Sequence, residues 1–361
     1  MKVEWVFLPF LLISSIAPSG AAQSGQEQVS AEKVSRAQPS SDAAHGITFD
    51  VVVTDKSGAA VSGLGAADFK LLDSKHPQDP ASILEAHGMT ATADPPVEAI
   101  VMLDAVNEDF RAIANDRQWL EKLFKANGGE LPLPTSLMML TEQGVSAPAE
   151  ATRDGSALLN QLNNTVSGLR TIKSSTGLWG AVEKRQISLQ ALGRVTAGVA
   201  NIRGRKLLIW IGPGWPALSS ANVDTTGITP KEQEALYGTI AEMSTALWQS
   251  QITLYDIDTS SGSMETQFMY QNYVKGADAP KHVENGDLML QVLAVQSGGS
   301  IQYGNDLPGL IARCMADSKA FYVVHYAMPP AAHANEYHSI EMRVDKPGLK
   351  VRSRTLYYAQ P

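Results

Sequence analysis

One cysteine, Cys314, stands in 361 residues, so no intrachain disulfide framework can form and no cysteine pair is present to hold zinc. Its neighbours in LIARCMADS place it on a helix beside Leu310 and Ile311, as a small core residue. Charge is also sparse. Asp, Glu, Lys and Arg make up 18% of the chain, against about a quarter in ordinary globular proteins. The balance is acidic, 37 acids against 29 bases for a net charge of −8, which disfavours nucleic acid as a partner because that needs a concentrated basic footprint. No run approaches the roughly 20 apolar residues that span a bilayer. Several catalytic signatures are missing as well. Gly-x-Ser-x-Gly is absent, which removes the common serine hydrolase elbow, and so is His-Glu-x-x-His. The segment GVANIRGRK imitates a phosphate loop, but its spacing is one residue too long and it precedes a strand instead of following one.

What is present is a 44% hydrophobic chain, long enough for roughly two domains with buried cores. Residues 1–22 have the order of a secretory signal: Lys2, an apolar run over 6–16, then small residues that allow cleavage near Ala21 or Ala22. A secreted or periplasmic location is expected. Residues 23–45 carry no aromatic side chain and few branched ones, the composition of a tether that cannot bury enough to order itself.

Residues 46–93 read as an N-terminal β region. ITFDVVVTD alternates and is β-branched, and a second strand in AADFKLL suggests a hairpin. After Pro95-Pro96 the pattern becomes alternating strands and helices over residues 94–319. Strands are expected at 97–103, 136–140, 206–211, 252–257 and 300–303, each a short apolar run of the kind buried on both faces of a parallel sheet. Helical spacing joins Phe110, Ile113, Leu120 and Phe124, and Thr229-Pro230-Lys231-Glu232 opens another helix with a capping box. Residues 320–361 return to strands at 321–327, 337–344 and 349–358, with hairpin-like joints. The two β pieces are each too short to bury a core, so they are expected to pack together as a β-sandwich beside a doubly wound, mostly parallel α/β sheet.

The segments ITFDVVVTDKSGAAVSGLGAADFKLLD, VEAIVMLDAVN, GRKLLIWIGPGWP, ITLYDID and YHSIEMRVDKPGLKVRSRTLYY together resemble the von Willebrand factor A-related domain proteins found widely in Acidobacteria, in order over about residues 46–358. The resemblance implies an extracytoplasmic protein with a von Willebrand A-like α/β domain. It also implies binding at the C-terminal edge of the sheet, often through a divalent ion held by Asp-x-Ser-x-Ser, a loop Thr and a later Asp. Asp104 keeps the first position and is the candidate metal ligand, for Mg²⁺ or Mn²⁺. Val106 and Glu108 replace the two serines, Thr176 falls where the loop Thr would stand, and Gly212-Pro213-Gly214 replace the final acid. Such a degenerate site favours binding without cofactor, with Asp104 capping the following helix or closing the strand end by backbone hydrogen bonds instead.

The expected function is therefore that of a non-catalytic exported adhesion module. Its candidate face comprises Asp104, Asn107, Glu108, Thr176, Asp258 and an exposed Trp215, facing a protein or glycan partner. Asp256 and Asp258 could bring further charge into the same cleft. The unpatterned loop over 217–227 borders that face. An envelope scaffold using the sandwich edges, with Lys346, Lys350, Arg352 and Arg354 as a basic strip, is the alternative. A carboxylate-based hydrolase built on Asp104, Glu108, Asp256 or Asp258 is a third reading, but no spacing sets two of them at glycosidase separation.

Overall fold

Alternating β-branched and polar residues make Gly46–Thr54 the first strand, β1, burying Ile47, Phe49, Val51 and Val53 on one face. It is followed by β2 (Phe69–Asp73), β3 (His76–Pro77), β4 (Ile83–Met89), β5 (Glu98–Asp104), helix α1 (Phe110–Lys125), β6 (Glu130–Thr141), β7 (Gly144–Val145), β8 (Thr152–Asp154) and α2 (Gly155–Thr165). Then come α3 (Leu178–Val199), β9 (Lys206–Ile211), α4 (Pro230–Gln249), β10 (Ile252–Asp258), α5 (Leu290–Gln296), β11 (Ile301–Tyr303) and α6 (Leu307–Ala316). The chain closes with β12 (Phe321–Ala327), β13 (Glu336–Val344), β14 (Lys350–Ser353) and β15 (Leu356–Ala359). The structure is a computed structural model that describes residues 46–77, 83–89, 96–145, 150–165, 178–215, 229–260 and 267–361, all within one compact unit. The expected signal segment and tether, Thr176 and the loop over 217–227 lie outside the described residues.

The fold is α/β. One seven-stranded, mostly parallel sheet has the order β11-β10-β9-β5-β6-β7, with β8 also pairing antiparallel to β6. Read from the β7 edge, with β8 left out of the numbering, the order is 3-2-1-4-5-6, the doubly wound arrangement in which the chain reverses direction across the sheet between β5 and β9. Val101, Leu103, Ile209 and Ile257 face α1, α2 and α6, whereas Ile100, Met102, Trp210 and Leu254 face α3, α4 and α5. Helices on both faces are why these strands read as continuous apolar runs. The capping box of α4 is formed, with Thr229 accepting from the Glu232 backbone N–H at 3.3 Å.

Two four-stranded antiparallel sheets, β14-β1-β12-β4 and β15-β13-β2-β3, enclose a second core with Phe49, Phe69, Tyr322, Tyr326, Ile340 and Tyr357. The expected hairpin between 47 and 72 is corrected here. β1 pairs with β12 and β14, and β2 pairs with β13 and β3 in the opposite sheet. The expected single strand over 349–358 likewise breaks at Arg354-Thr355, so that β14 serves one sheet and β15 the other. Asp73 sits 3% exposed at the polar centre of this sandwich, accepting from Tyr326 at 3.0 Å, Tyr357 at 2.8 Å and His338 Nδ1 at 2.8 Å.

The sandwich and the α/β sheet share a seam. Val52, on the outer face of β1, joins the core beneath α1 and α6. Arg205 pairs with Asp50 at 3.0 Å, and Trp248 donates to the Thr48 carbonyl at 3.0 Å. The expectation that Arg352 and Arg354 form a solvated basic strip is corrected by the same seam. Arg352 is paired with Asp317, and Arg354 is 4% exposed against Ser244.

Candidate functional site

The C-terminal ends of β5, β9 and β10 meet where the strand order reverses, the place in a doubly wound sheet where neighbouring loops part and leave a crevice. Register fixes what meets there. Met102, Trp210 and Asp256 are lateral neighbours across β5, β9 and β10, and Asp104 ends β5 beside Leu140 of β6.

Asp104 is fully buried, and each of its oxygens accepts two hydrogen bonds. Oδ1 takes the backbone N–H groups of Val106 and Asn107, both at 2.9 Å. Oδ2 takes Asn107 Nδ2 at 2.7 Å and Trp210 Nε1 at 2.9 Å. Burial pushes its carboxyl upward while these four donors pull it down. Since only donors face it, there is no acceptor for a proton and the group is held as the carboxylate. A carboxylate has about four acceptor positions, so a divalent ion would have to displace an existing partner. Gly212 completes the obstruction. Its φ is +144°, and a side chain there would start 2.9 Å from Asp104 Cβ, so the position of the family's final acid cannot carry one without moving this strand end. Among the described residues no group of three His, Cys, Asp or Glu is placed to hold a metal. The residues around Asp104 therefore do not fit the divalent ion that the resemblance implies.

Around this closed knot lies an acidic cluster. Asp109 caps α1, accepting from the Arg111 and Ala112 N–H groups at 2.8 and 2.9 Å, so the cap falls on it instead of Asp104. Glu108, 7% exposed, is raised to about 8 by burial and then by the charges of Asp116, Asp258, Asp109 and Asp104. Asp116 of α1 is fully buried and is raised to about 6 by burial, although Thr259 Oγ1 donates to it at 2.9 Å. Asp256 is driven well above the usual carboxylate range by burial, against a 2.8 Å hydrogen bond from Gln291 Nε2. Asp258, 7% exposed, accepts from the Ser260 N–H at 2.8 Å.

Among the described residues, four oxygens at this edge have no partner: Asn107 Oδ1, Glu108 Oε2, Asp256 Oδ1 and Gln291 Oε1. A buried acceptor without a donor costs about 1–3 kcal/mol, so four in one place amount to an unmet demand for donors.

Of the residues expected from sequence, Asp104, Asn107, Glu108 and Asp258 come together here. Trp215 does not serve as expected. It is 2% exposed, packs edge-on against Trp210 with ring centroids 5.7 Å apart, and donates to the Leu288 carbonyl, so it is part of the core instead of an exposed anchor. Its burial follows from Gly214, whose φ of +72° turns the chain back over α5. Exposed aromatic surface is supplied instead by Phe110, 63% exposed at the start of α1, and Phe268, 46% exposed beyond β10. Asp116 and Gln291 were missed. Asp116 had a signal, since an acid at the spacing of Ile113, Leu120 and Phe124 sits on the buried stripe of α1.

No family model matches the sequence, and no curated protein matches it. Among solved structures, the chain is similar to the human COPII-coat protein Sec24c at 9% identity and TM-score 0.32, over 76% of this chain and 46% of that one. It is similar to a mutant of the PilB minor pilin from Streptococcus sanguinis at 8% identity and TM-score 0.33, over 61% of this chain and 62% of that one. The chain spans less than two thirds of the length of either.

Proposed function

We propose that this chain is an exported, von Willebrand A-like binding module that recognises a protein or glycan at the C-terminal edge of its parallel sheet, without a bound metal and without catalysis. The doubly wound strand order supports the von Willebrand A-like reading. The observation that carries the binding role is the set of four partnerless oxygens at the strand-order reversal. Partnerless groups are costly to a fold, and a ligand that satisfies them recovers that cost on binding. The inward engagement of Arg352 and Arg354 leaves the scaffold alternative only Lys346 and Lys350 of its four-residue basic strip.

The test is a binding screen on peptide and glycan arrays with the wild-type chain, Glu108→Gln/Asp258→Asn, and Lys350→Glu on the exposed sandwich edge. The expected result is a set of ligands kept by Lys350→Glu and lost by the double variant. Ligands lost only with Lys350→Glu would transfer the function to the sandwich, and turnover of any arrayed glycan would establish an enzyme.

A further inference from the structure

We infer that the group accepted at this edge is an organic cation, the guanidinium or ammonium of a basic side chain in a partner polypeptide. This rests on the strand-end binding reading and names the chemistry of its ligand. The orphaned atoms are all acceptors, and their orientation is forced. Asn107 Nδ2 is taken by Asp104 and by Ser188 Oγ at 2.9 Å, and Gln291 Nε2 by Asp256 and the Pro213 carbonyl at 3.0 Å. Turning Asn107 would set its amide oxygen against the Asp104 carboxylate, and turning Gln291 would set its own against the Pro213 carbonyl, so both keep oxygen on the unpartnered side. Once Glu108 and Asp256 give up their protons, the site offers two amide and two carboxylate oxygens and no free donor. A ligand acidic group would meet only acceptors, whereas a guanidinium brings five N–H donors and an ammonium three.

Charge points the same way. Among the described residues no ion pair reaches Asp104, Glu108, Asp116, Asp256 or Asp258, so the acids of this face have no internal counter-ion and an incoming cation is the partner that lets them ionise. Phe110 directly follows the Glu108-Asp109 turn and is the most exposed large apolar side chain described. An exposed ring beside carboxylates is what a guanidinium stacks on while its N–H groups bond to the acids. The exposed Phe110 ring offers contact beyond the cationic head, more than a free amine would use, which commits the ligand to a basic residue within a polypeptide.

Glu108 ties the binding to pH. With the acids Asp104, Asp109, Asp116, Asp256 and Asp258 around it, the carboxyl holds its proton up to about 8, and an arriving cation must expel that proton. Affinity then rises with pH over the range below 8 by up to about tenfold per unit.

The experiment uses the full chain and three probes: N-acetyl-glycyl-arginyl-glycinamide, its lysine counterpart, and its citrulline counterpart, which keeps shape and loses charge. Methyl resonances of Val106, buried beside Asp104, report binding by NMR at up to about 10 mM peptide, ten times the dissociation constant of a millimolar site. Expected are saturable Val106 shifts with the arginine and lysine peptides, at least tenfold weaker binding of citrulline, tightening between pH 6 and 8, and at least tenfold weaker binding in Glu108→Gln. An unlowered unfolding midpoint in that variant shows that its fold is intact. Equal binding of citrulline, or binding indifferent to Glu108→Gln, overturns the cation and leaves the strand-end reading standing. So does a Glu108-dependent Val106 shift produced by Mg²⁺ or Mn²⁺ alone, in favour of a metal. If no peptide shifts Val106 and the array screen finds no ligand lost with Glu108→Gln/Asp258→Asn, both readings fall together.

Discussion

Trp210 donates its indole N–H to Asp104 Oδ2 across 2.9 Å, from one parallel strand to its neighbour and wholly out of contact with water. The bond makes Asp104 a fastener of the sheet at the point where the strand order turns. Asp104→Ala leaves the Trp210 indole, the Asn107 amide and two backbone N–H groups without an acceptor. It should destabilise the chain by about 3 kcal/mol or more, read from urea unfolding midpoints. A loss below about 1 kcal/mol would mean that water replaces the carboxylate and that the strand end is open.

Glu108 gives stability a pH dependence opposite to the usual acid response. In the folded chain it keeps its proton to about pH 8, while in the unfolded chain it ionises near 4.5. Between those values the unfolded state binds fewer protons, so stability falls as pH rises through the window and levels off above it. Asp116 and Asp287, each raised to about 6, add the same sign of slope below pH 6. Glu108→Gln should therefore flatten the profile between pH 6 and 8 and stabilise the chain at pH 8 by about 2 kcal/mol, a figure reduced for solvent screening. Parallel profiles for the two proteins would show that Glu108 ionises as an exposed acid does.

Trp215 separates packing from recognition. Its ring fills the space between Trp210 and α5, so Trp215→Ala should cost about 3–5 kcal/mol by calorimetry or urea titration. Phe110→Ala, at a site 63% exposed, should change stability by less than about 0.5 kcal/mol while weakening ligand binding. A destabilising Phe110→Ala would place that ring in the core.

Cys314 is 1% exposed, and burial followed by the charge of Asp317 raises its thiol to about 12. Thiol reagents act on the thiolate. The native chain should react with an aromatic disulfide reagent only as fast as it unfolds, with the rate rising along the denaturant curve. Rapid stoichiometric labelling without denaturant would contradict the buried placement.

How much of this was legible in the sequence depends on which physical signal carried each element. β5, β9 and β10 fall within a residue or two of the runs expected at 97–103, 206–211 and 252–257, because strands covered on both faces need unbroken apolar stretches. β6 begins at Glu130, six residues before the expected 136. Pro132 and Pro134 read as breakers, yet they precede Thr135, where pairing with β5 starts, and so cost no ladder hydrogen bond. α3 passed unnoticed because Gly180, Gly193 and Thr196 weaken its propensity, and packing against the sheet supplies what propensity lacks. Within the site, Asp104, Asn107 and Glu108 were found through the resemblance, and Asp258 from its place at the end of a sheet strand. Asp116 and Gln291 arrive from helices distant in sequence, and no spacing rule links them to β5. The false hairpin has a simple cause: β1 and β2 each carry one buried face, and alternation alone cannot tell a partner in the same sheet from one across the core.

The sandwich also sets a timetable. Gly46 pairs with Ala327 and Val51 with Ser353, and Asp73 takes a hydrogen bond from Tyr357, 284 residues away. Contacts of such range come late, because the loop they close must first be ordered at an entropic cost. The parallel sheet is built from strands that follow one another closely in the chain, so it can assemble during synthesis while β1 and β2 wait unpaired. Only when β14 and β15 have left the ribosome can both sheets close, and these last two strands act as the latch for β1 and β2. A chain ending at Gly348 would then show the helical content of the α/β core, an open sandwich, and a tendency to associate through the bare edge of β1.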